Sequence, residues 1–193
     1  IYERLKLPQG RLELMSGIKE RRFWDKGIVP SEVATIAGEK AIAHAGINKD
    51  NIGCLISASV CRDFIEPSTA SIIHRNLKIP SEAFVFDVSN ACLGVLNGMM
   101  IIANMIDQNQ ILAGLVVAGE NGGPLLNNTI ETLLSRPDIT RSNIKSSFAS
   151  LTIGSAAVGV VLSHKKISRQ GHRLMGGVSL AETQFNHLYR GND

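Results

Sequence analysis

Short apolar runs alternate along this chain with longer segments in which apolar residues recur at helical spacing. Runs rich in β-branched and aromatic residues predict strands at 55–60, 84–88, 111–120, 156–162 and 175–180. Helical spacing predicts helices at 32–44, 67–77, 92–108 and 124–135. Because the strands alternate with helices and lack polar alternation, the pattern predicts an α/β layered fold whose sheet is covered on both faces.

Capping residues indicate where some of these elements begin and end. Ser31 is the expected N-cap of the first predicted helix, with Pro30 just outside it, and Gly46 is expected to end that helix. Pro67 fits the first turn of the next helix. Segment 136–150 is rich in Pro, Asp, Ser and Asn, which favours a surface loop.

Composition and charge limit the class of protein. The chain has 193 residues, of which 44% are hydrophobic and 19% charged, as expected for one sizeable globular domain. A net charge of +3 is too small to indicate a nucleic-acid partner. Two basic clusters, at 19–22 and 164–169, fit either a solvated surface or contacts with the phosphates of a nucleotide-bearing thioester or an acidic carrier protein. The longest apolar stretch, 91–106, is short for a membrane span, so no integral membrane segment is expected.

The three cysteines do not form a recognisable ligand or disulfide pattern. Their spacing predicts neither a disulfide framework nor a zinc site, and no metal is expected. Reduced thiols suit a cytoplasmic location, and residues 1–6 do not resemble a signal peptide because they lack an apolar core. We interpret Cys54 as a core residue and Cys61 as structural, although close to the site.

Cys92 has the most informative surroundings. Residues 83–88 before it read as a buried strand, residues 93–103 after it read as a buried helix, and 89–91 form a tight turn between them. The thiol is therefore expected near a helix N-terminus, where unpaired N–H groups and the helix dipole favour a thiolate. Such strand-to-helix elbows present nucleophiles, whereas the alternative is an inert buried cysteine.

Four segments together resemble the thiolase superfamily, and within it the β-ketoacyl-ACP synthase III type of condensing enzyme. They are SGIKERR at 16–22, EPSTA at 66–70, DVSNACLG at 87–94 and IGSAAV at 153–158. The resemblance implies that Cys92 is the acyl-accepting nucleophile. It also implies a homodimer and a thiolase-like fold, an α-β-α-β-α sandwich.

In that family, residues 1–193 correspond to the N-terminal half-domain, without its first strand. The resemblance implies that the catalytic His and Asn come from a C-terminal half absent from this chain. None of the five histidines here matches a catalytic position, and His44 is expected to end a helix. The others are expected on the surface or in loops.

Several positions depart from the members that initiate fatty acid biosynthesis. Arg11 and Met15 stand where those members commonly have a Trp and an Arg that contact coenzyme A, and a Gly-Asp-Gly-Ala motif reads Gly-Ser-Ala-Ala at 154–157. Residues 60–70 and 89–93 are similar instead to the long-chain acyl-CoA condensing enzymes of head-to-head hydrocarbon synthesis.

Glu66 gains a role from that second resemblance. In the head-to-head branch, the glutamate before Pro-Ser-Thr-Ala acts as a base in the partner subunit's site, which makes Glu66 a candidate base in trans. The alternative is that Glu66 only favours a helix N-terminus beside Pro67.

Two condensation reactions follow from the resemblance, both through a Cys92 acyl-enzyme and an oxyanion hole that includes the Cys92 N–H. With a malonyl donor, as in 3-oxoacyl-ACP synthase III, decarboxylation supplies the carbanion, and we rank this first. With a second long-chain acyl-CoA, Glu66 must remove the α-proton. The substrate is a coenzyme A or acyl-carrier-protein thioester, and no cofactor is implied. A third alternative is a non-catalytic subunit of a condensing complex.

Glycines near these elements are candidate substrate-binding residues. Gly94, with Gly98, is expected to leave room near the nucleophile and at helix contacts. Gly119 and Gly122 are expected to let the backbone approach the acyl chain or the dimer axis, and the alternative is ordinary turn chemistry.

Overall fold

A computed structural model describes residues 2–3, 8–138, 140, 144 and 147–188. The helices assigned in these ranges are α1 (Arg11–Ser16), α2 (Pro30–Ala45), α3 (Thr69–Leu77), α4 (Gly94–Asp107), α5 (Gly123–Ser135) and α6 (Phe148–Thr152). The strands are β1 (Ile52–Ser57), β2 (Phe84–Asp87), β3 (Ala113–Glu120) and β4 (Ala156–Ser163). Short 3₁₀ turns cover Lys49–Asn51, Ala91–Leu93 and Thr183–Leu188.

The four strands form one mixed sheet in the order β2-β1-β3-β4. Strand β1 pairs in parallel with β2 and β3, and β4 runs antiparallel to β3. The carboxyl ends of β1, β2 and β3 therefore share one edge with the amino end of β4. Side chains from four separate segments meet at that edge, which is where open α/β sheets commonly bind ligands.

Helices cover both faces of the sheet, which confirms the predicted α/β layered fold. On one face, Ala34 of α2 and Ile73 of α3 belong to one buried core with Leu55 of β1. On the other face, Ile102 of α4 packs against Ile56. Neighbouring residues of β1 thus enter opposite cores, as the alternation of side chains along a strand requires.

The predicted strands have mixed outcomes. Strand 55–60 is present but begins at Ile52 and ends at Ser57, and the strands at 111–120 and 156–162 are confirmed as β3 and β4. Strand 84–88 is present as β2, but its expected burial is wrong: β2 is an edge strand, and Phe84 is 59% exposed. The prediction of a strand at 175–180 is wrong, because this exposed segment pairs with no described strand.

Two expected helix starts are also wrong. Helix α2 begins at Pro30 with Val29 as the N-cap, because proline suits the first helical position, so Ser31 lies inside the helix. Helix α3 begins at Thr69 with Ser68 as the N-cap, which leaves Pro67 outside it. The predicted end of α2 is confirmed: Gly46 has a φ of 66° and its N–H bonds the carbonyls of the last turn.

The helix predicted at 92–108 consists of the 3₁₀ turn Ala91–Leu93 followed by α4. Its expected burial all round is wrong, since only the face with Gly94, Gly98, Ile102 and Ile106 is buried against the sheet. The helix at 124–135 is confirmed as α5.

Other expectations concern the chain's beginning, the 136–150 loop and the histidines. Residues 1, 4–6, 139, 141–143 and 145–146 lie outside the described residues, and 148–150 belong to α6 rather than to a loop. His44 lies in the last turn of α2, as expected. The expected loop or surface position is wrong for His74, which is half-buried in α3 with Nε2 3.0 Å from the Pro80 carbonyl oxygen.

Candidate active site

Cys92 lies in a sharp turn between the end of β2 and the start of α4. The turn, residues 88–93, is called the Cys92 turn below. The structure has strand, turn and helix in the predicted order, with Cys92 exposed in the 3₁₀ turn rather than inside the helix. Ala91 has a φ of 43°, a left-handed conformation that is unusual for a residue with a side chain. Asn90 donates a side-chain hydrogen bond to Asn97 of α4, which ties the turn to the helix.

Gly94 and Gly98 let α4 pack closely against the sheet, which confirms their expected role in helix contacts. A Cβ atom on Gly94 would lie 2.8 Å from the Ala58 carbonyl oxygen, and one on Gly98 would lie 2.9 Å from Cγ1 of Val116. The first turn of α4 therefore sits directly over the end of β1. The substrate-binding role of Gly94 stays a prediction.

The segment from β1 to α3, residues 58–68, carries Glu66 and is called the Glu66 arm. Its first part is held by Glu120, the last residue of β3. The Glu120 carboxylate accepts one hydrogen bond from the Val60 N–H at 2.7 Å and another from the Cys61 N–H at 3.1 Å. Two carboxylate oxygens thus fix two consecutive peptide groups where the chain leaves the sheet.

The middle of the arm is held by its own carboxylate. Asp63 accepts hydrogen bonds from the N–H of Ser31, at 2.9 Å, and from the Ser31 hydroxyl. Ser31 lies in the first turn of α2, where backbone N–H groups are otherwise unpaired. The cap of α2 predicted at Ser31 is therefore supplied by the Asp63 carboxylate.

The end of the arm is held by Asp87, the last residue of β2. Its carboxylate accepts hydrogen bonds from the Thr69 N–H at 3.0 Å and the Ala70 N–H at 2.8 Å. The N-terminus of α3 thus receives its carboxylate from a neighbouring strand. Glu66, three residues earlier, is exposed.

Between these anchors, the tip of the arm is open to solvent. Phe64 is 59% exposed and Ile65 is 91% exposed. Glu66 is joined to Pro67 by a cis peptide bond. The arm therefore presents two apolar side chains and one carboxylate on a backbone that is fixed at three points.

The loop after β3 completes this edge of the sheet. The Gly122 N–H donates to the Ser155 hydroxyl at 3.0 Å, and a Cβ on Gly122 would lie 2.6 Å from the Gly154 carbonyl oxygen. A Cβ on Gly119 would lie 2.3 Å from the Pro30 carbonyl oxygen. Both glycines are needed for close backbone packing, and their role in substrate binding stays a prediction.

The three thiols differ in their surroundings. Cys54 is fully buried in the core, as expected, and burial raises the pKa of its thiol to about 11. Cys61 is half-buried, and burial raises its pKa to about 11 as well. Of the three, Cys92 alone is exposed. Accessibility thus separates the candidate nucleophile from the two structural thiols.

Sequence reasoning identified Cys92 and Glu66 as candidates but missed the carboxylates that hold the Glu66 arm. Those groups are Asp63, Asp87 and Glu120. The signal in the sequence was weak: Asp87 and Glu120 each follow a short apolar run, where a polar residue commonly marks a strand end.

Neither a metal site nor a membrane-crossing helix is found in the described part of the chain. No group of three or more His, Cys, Asp and Glu side chains among those residues is arranged to hold a metal ion. Within the same ranges, every helix is too short or too polar to span a lipid bilayer.

Comparison with known proteins gives relatives along the whole chain, although no protein-family model matches it. The chain is 40% identical over 191 residues to the acyl-CoA:acyl-CoA alkyltransferase of Xanthomonas campestris pv. campestris, covering 99% of this chain and 56% of that protein. For the enzyme of the same name from Shewanella oneidensis the identity is 39%, over 97% of this chain and 54% of that protein. The β-ketoacyl-ACP synthase III of Koribacter versatilis matches at 33% over 114 residues, which cover 59% of this chain and 34% of that protein. The chain spans about half the length of the alkyltransferases it matches.

Solved structures of Xanthomonas campestris OleA have the same fold. A cysteine-to-serine variant with bound lauric acid and lauroyl-CoA matches with a TM-score of 0.91 at 38% identity, over 99% of this chain and 56% of that one. A glutamate-to-alanine variant matches with a TM-score of 0.92 at 39% identity, over the same shares of the two chains. In OleA the substituted glutamate precedes the substituted cysteine by 26 positions. Glu66 precedes Cys92 by the same 26 positions.

Proposed function

Because this chain belongs to the thiolase superfamily of condensing enzymes, we propose that the full-length protein joins two acyl thioesters in a Claisen condensation through a Cys92 acyl-enzyme. One observation carries this proposal above the others. In a fold that matches OleA with a TM-score of 0.91, the exposed thiol directly follows a left-handed residue in the turn between a strand end and a helix. That geometry suits a nucleophile that must meet a carbonyl carbon.

We propose further that both substrates are acyl-CoA molecules, so that the alternative ranked second from the sequence is favoured over the malonyl donor. The alkyltransferases match along nearly the whole chain, whereas the β-ketoacyl-ACP synthase III of Koribacter versatilis matches over 114 residues at lower identity. The shared spacing of glutamate and cysteine supports the same choice. A decarboxylating reaction with malonyl-ACP, as in fatty acid biosynthesis, is the second candidate, supported by those shorter matches.

The first half-reaction loads Cys92. Its thiolate attacks the carbonyl carbon of one acyl-CoA, the carbon–sulfur bond to coenzyme A breaks, and the released thiolate takes up a proton. The backbone N–H of Cys92 stabilises the oxyanion of the tetrahedral intermediate. A preorganised donor of this kind is typically worth about 3–4 kcal/mol in the transition state.

The second half-reaction forms the carbon–carbon bond. The Glu66 carboxylate removes an α-proton from the second acyl-CoA, and the resulting carbanion attacks the carbonyl carbon of the acyl-enzyme. The bond from that carbon to the Cys92 sulfur breaks, which regenerates the thiolate. The product is a β-keto acyl-CoA with an alkyl branch, and neither an oxidant nor a reductant is consumed.

We propose that Glu66 acts in the site of a partner subunit within a homodimer. The tip of the Glu66 arm exposes Phe64 and Ile65, and apolar side chains of this size are more commonly covered by a partner surface. The three carboxylate anchors give the tip a defined shape before any partner binds, which lowers the entropy cost of docking.

The remaining catalytic groups are proposed to lie in a second half-domain. The OleA series includes a variant of a histidine 142 positions after the cysteine. At the same spacing from Cys92, the corresponding residue lies beyond Asp193. We propose that residues 1–193 form the N-terminal half-domain and that His and Asn are supplied by the C-terminal half. The free thiols suit a cytoplasmic location.

Product analysis with the full-length protein tests the choice of substrate. Lauroyl-CoA alone is expected to give a branched β-keto acyl-CoA and one free coenzyme A per product, and Cys92→Ala is expected to abolish both. Cys54→Ala is the matched control and is expected to keep the reaction. A product that forms only when malonyl-ACP is added would favour the decarboxylating reaction instead. No product and no acylated Cys92 with either donor would overturn the condensing function.

A further inference from the structure

One carboxylate lies between the two segments that carry the candidate catalytic residues. Asp87 is the last residue of β2 and pairs with Ser57 of β1 in the parallel ladder. The next residue, Val88, donates its N–H to the Ser57 carbonyl oxygen at 2.8 Å. Asp87 is therefore fixed to the sheet at the point where the Cys92 turn begins.

The same carboxylate holds the far end of the Glu66 arm. One carboxylate oxygen accepts from the Thr69 N–H and the other accepts from the Ala70 N–H. Both oxygens are therefore needed to make the two hydrogen bonds. Thr69 is 1% exposed and Ala70 is fully buried. Solvent therefore has little access to these two N–H groups, and losing the carboxylate would leave them without a hydrogen-bond acceptor. Glu66 lies only three residues before Thr69, on the exposed side of this anchor.

We propose that Asp87 is a positioning residue that fixes the far end of the Glu66 arm to the sheet, so that Glu66 is held in place for the α-proton that it removes in the partner subunit's site. The inference rests on the proposed function, in which Glu66 removes the α-proton. Asp87 acts through two backbone amides and does not touch substrate. Removing it releases the end of the arm nearest Glu66, while the anchors at Glu120 and Asp63 remain and the bond from the Val88 N–H to the Ser57 carbonyl keeps the Cys92 turn in place. The condensation step therefore depends on Asp87 more than the acylation step does.

The experiment measures the two half-reactions separately in the full-length protein with lauroyl-CoA. A burst of free coenzyme A reports acylation of Cys92, and product formation reports condensation. In Asp87→Asn, which keeps one acceptor oxygen, the burst amplitude is expected to stay as in the wild type. Condensation is expected to fall by about 10–100-fold, the usual effect of a misplaced catalytic group. Asp50→Asn, in the 3₁₀ turn at the start of β1, is the matched control and is expected to leave both steps unchanged.

A second variant removes the same contact from the other partner. Thr69→Pro deletes the donor N–H, and proline is well tolerated there because Thr69 is the first helical residue and Ser68 has an extended ψ of 143°. The Asp87 charge is unchanged in this variant. The same selective loss of condensation is expected, with the burst retained.

A double-mutant cycle separates positioning from a general loss of structure. If Asp87 acts through Glu66, Asp87→Asn adds no further loss of condensation to that of Glu66→Gln. Equal losses in both half-reactions, losses that multiply in the double variant, or wild-type condensation in Asp87→Asn would each overturn the proposal. Failure of the proposed function looks different: the wild type then gives no condensation product, or Glu66→Gln is fully active.

Discussion

The thiol of Cys61 and the backbone of Asn121 bond each other in both directions. The Cys61 Sγ lies 3.4 Å from the Asn121 nitrogen, from which it accepts, and 3.6 Å from the Asn121 carbonyl oxygen, to which it donates. The loop after β1 is thereby joined to the loop after β3 beside the Glu120 anchor. Cys61 is therefore a structural link at the edge of the sheet that carries the candidate site, in keeping with its predicted role.

Alkylation should distinguish the three thiols. With a pKa of about 11, Cys54 and Cys61 are ionised to only about one part in a thousand at pH 8, and the thiolate is the species that reacts. Iodoacetamide at pH 8 is expected to label Cys92 first, as measured by mass mapping. Labelling of Cys61 is expected to rise about tenfold per pH unit up to pH 10, because its thiolate fraction rises by that factor.

Labelling in urea is the control for intrinsic reactivity, since all three thiols are then exposed and should react at similar rates. Slow and equal labelling of the native protein would contradict the assignment of Cys92 as the accessible nucleophile.

Ala91→Gly tests the left-handed conformation beside Cys92. An alanine at a φ of 43° costs roughly 1–2 kcal/mol, and glycine removes that cost while making the unfolded chain more flexible by about 0.4–1 kcal/mol. The free energy of unfolding in urea is expected to stay the same or rise by up to about 1.6 kcal/mol. Ala43→Gly, at an exposed site in α2, is expected to lower it by about 0.5–1 kcal/mol. Equal losses in the two variants would show that residue 91 is not strained.

Gly119→Ala tests the contact between β3 and the start of α2. The added Cβ would lie 2.3 Å from the Pro30 carbonyl oxygen and 2.9 Å from Cγ2 of Val33, so backbone has to move. Overpacking of this kind is expected to lower the free energy of unfolding by about 1–3 kcal/mol. Gly177→Ala is the control, because nothing lies within 4 Å of the added Cβ. A Gly119→Ala protein as stable as this control would disprove the close contact.

Subunit mixing tests the proposal that Glu66 acts in trans. Full-length Cys92→Ala and Glu66→Ala are each expected to be inactive in condensation, because each dimer lacks one group in both of its sites. A mixed dimer combines an intact Cys92 with an intact Glu66 at one of its two sites. Dissociating and reassociating an equal mixture should restore about a quarter of the wild-type rate, since half of the dimers are mixed and each has one complete site. No recovery after confirmed subunit exchange would place Glu66 in its own subunit's site.

The sequence predicted those features that depend on local patterns. Strands β3 and β4 and the end of α2 follow from apolar runs and from Gly46, and the strand–turn–helix order around Cys92 follows from the same kind of signal. The difference at the N-cap of α2 also has a local cause, since Pro30 takes the first helical position and does not lie just outside the helix as predicted.

The features that were missed depend on contacts between distant residues. Glu120 bonds peptide groups 59 and 60 positions away, and Asp63 bonds Ser31 across 32 positions. Neither separation leaves a periodic signal in the sequence. The exposed edge of β2 and the lack of strand structure at 175–180 have a similar origin, because both depend on which neighbour lies beside the apolar run.

The three carboxylates that hold the Glu66 arm all bond to main-chain amides, apart from one additional bond to the Ser31 hydroxyl. The side chains of Phe64, Ile65 and Glu66 take no part in these bonds, so the shape of the tip is largely independent of the side chains it displays. The side chains at the tip could therefore be replaced by others, which would change its binding specificity while the backbone keeps its shape. Proline at position 60, 61 or 70 is the exception, because it would delete a donor without the compensation available at the first residue of a helix.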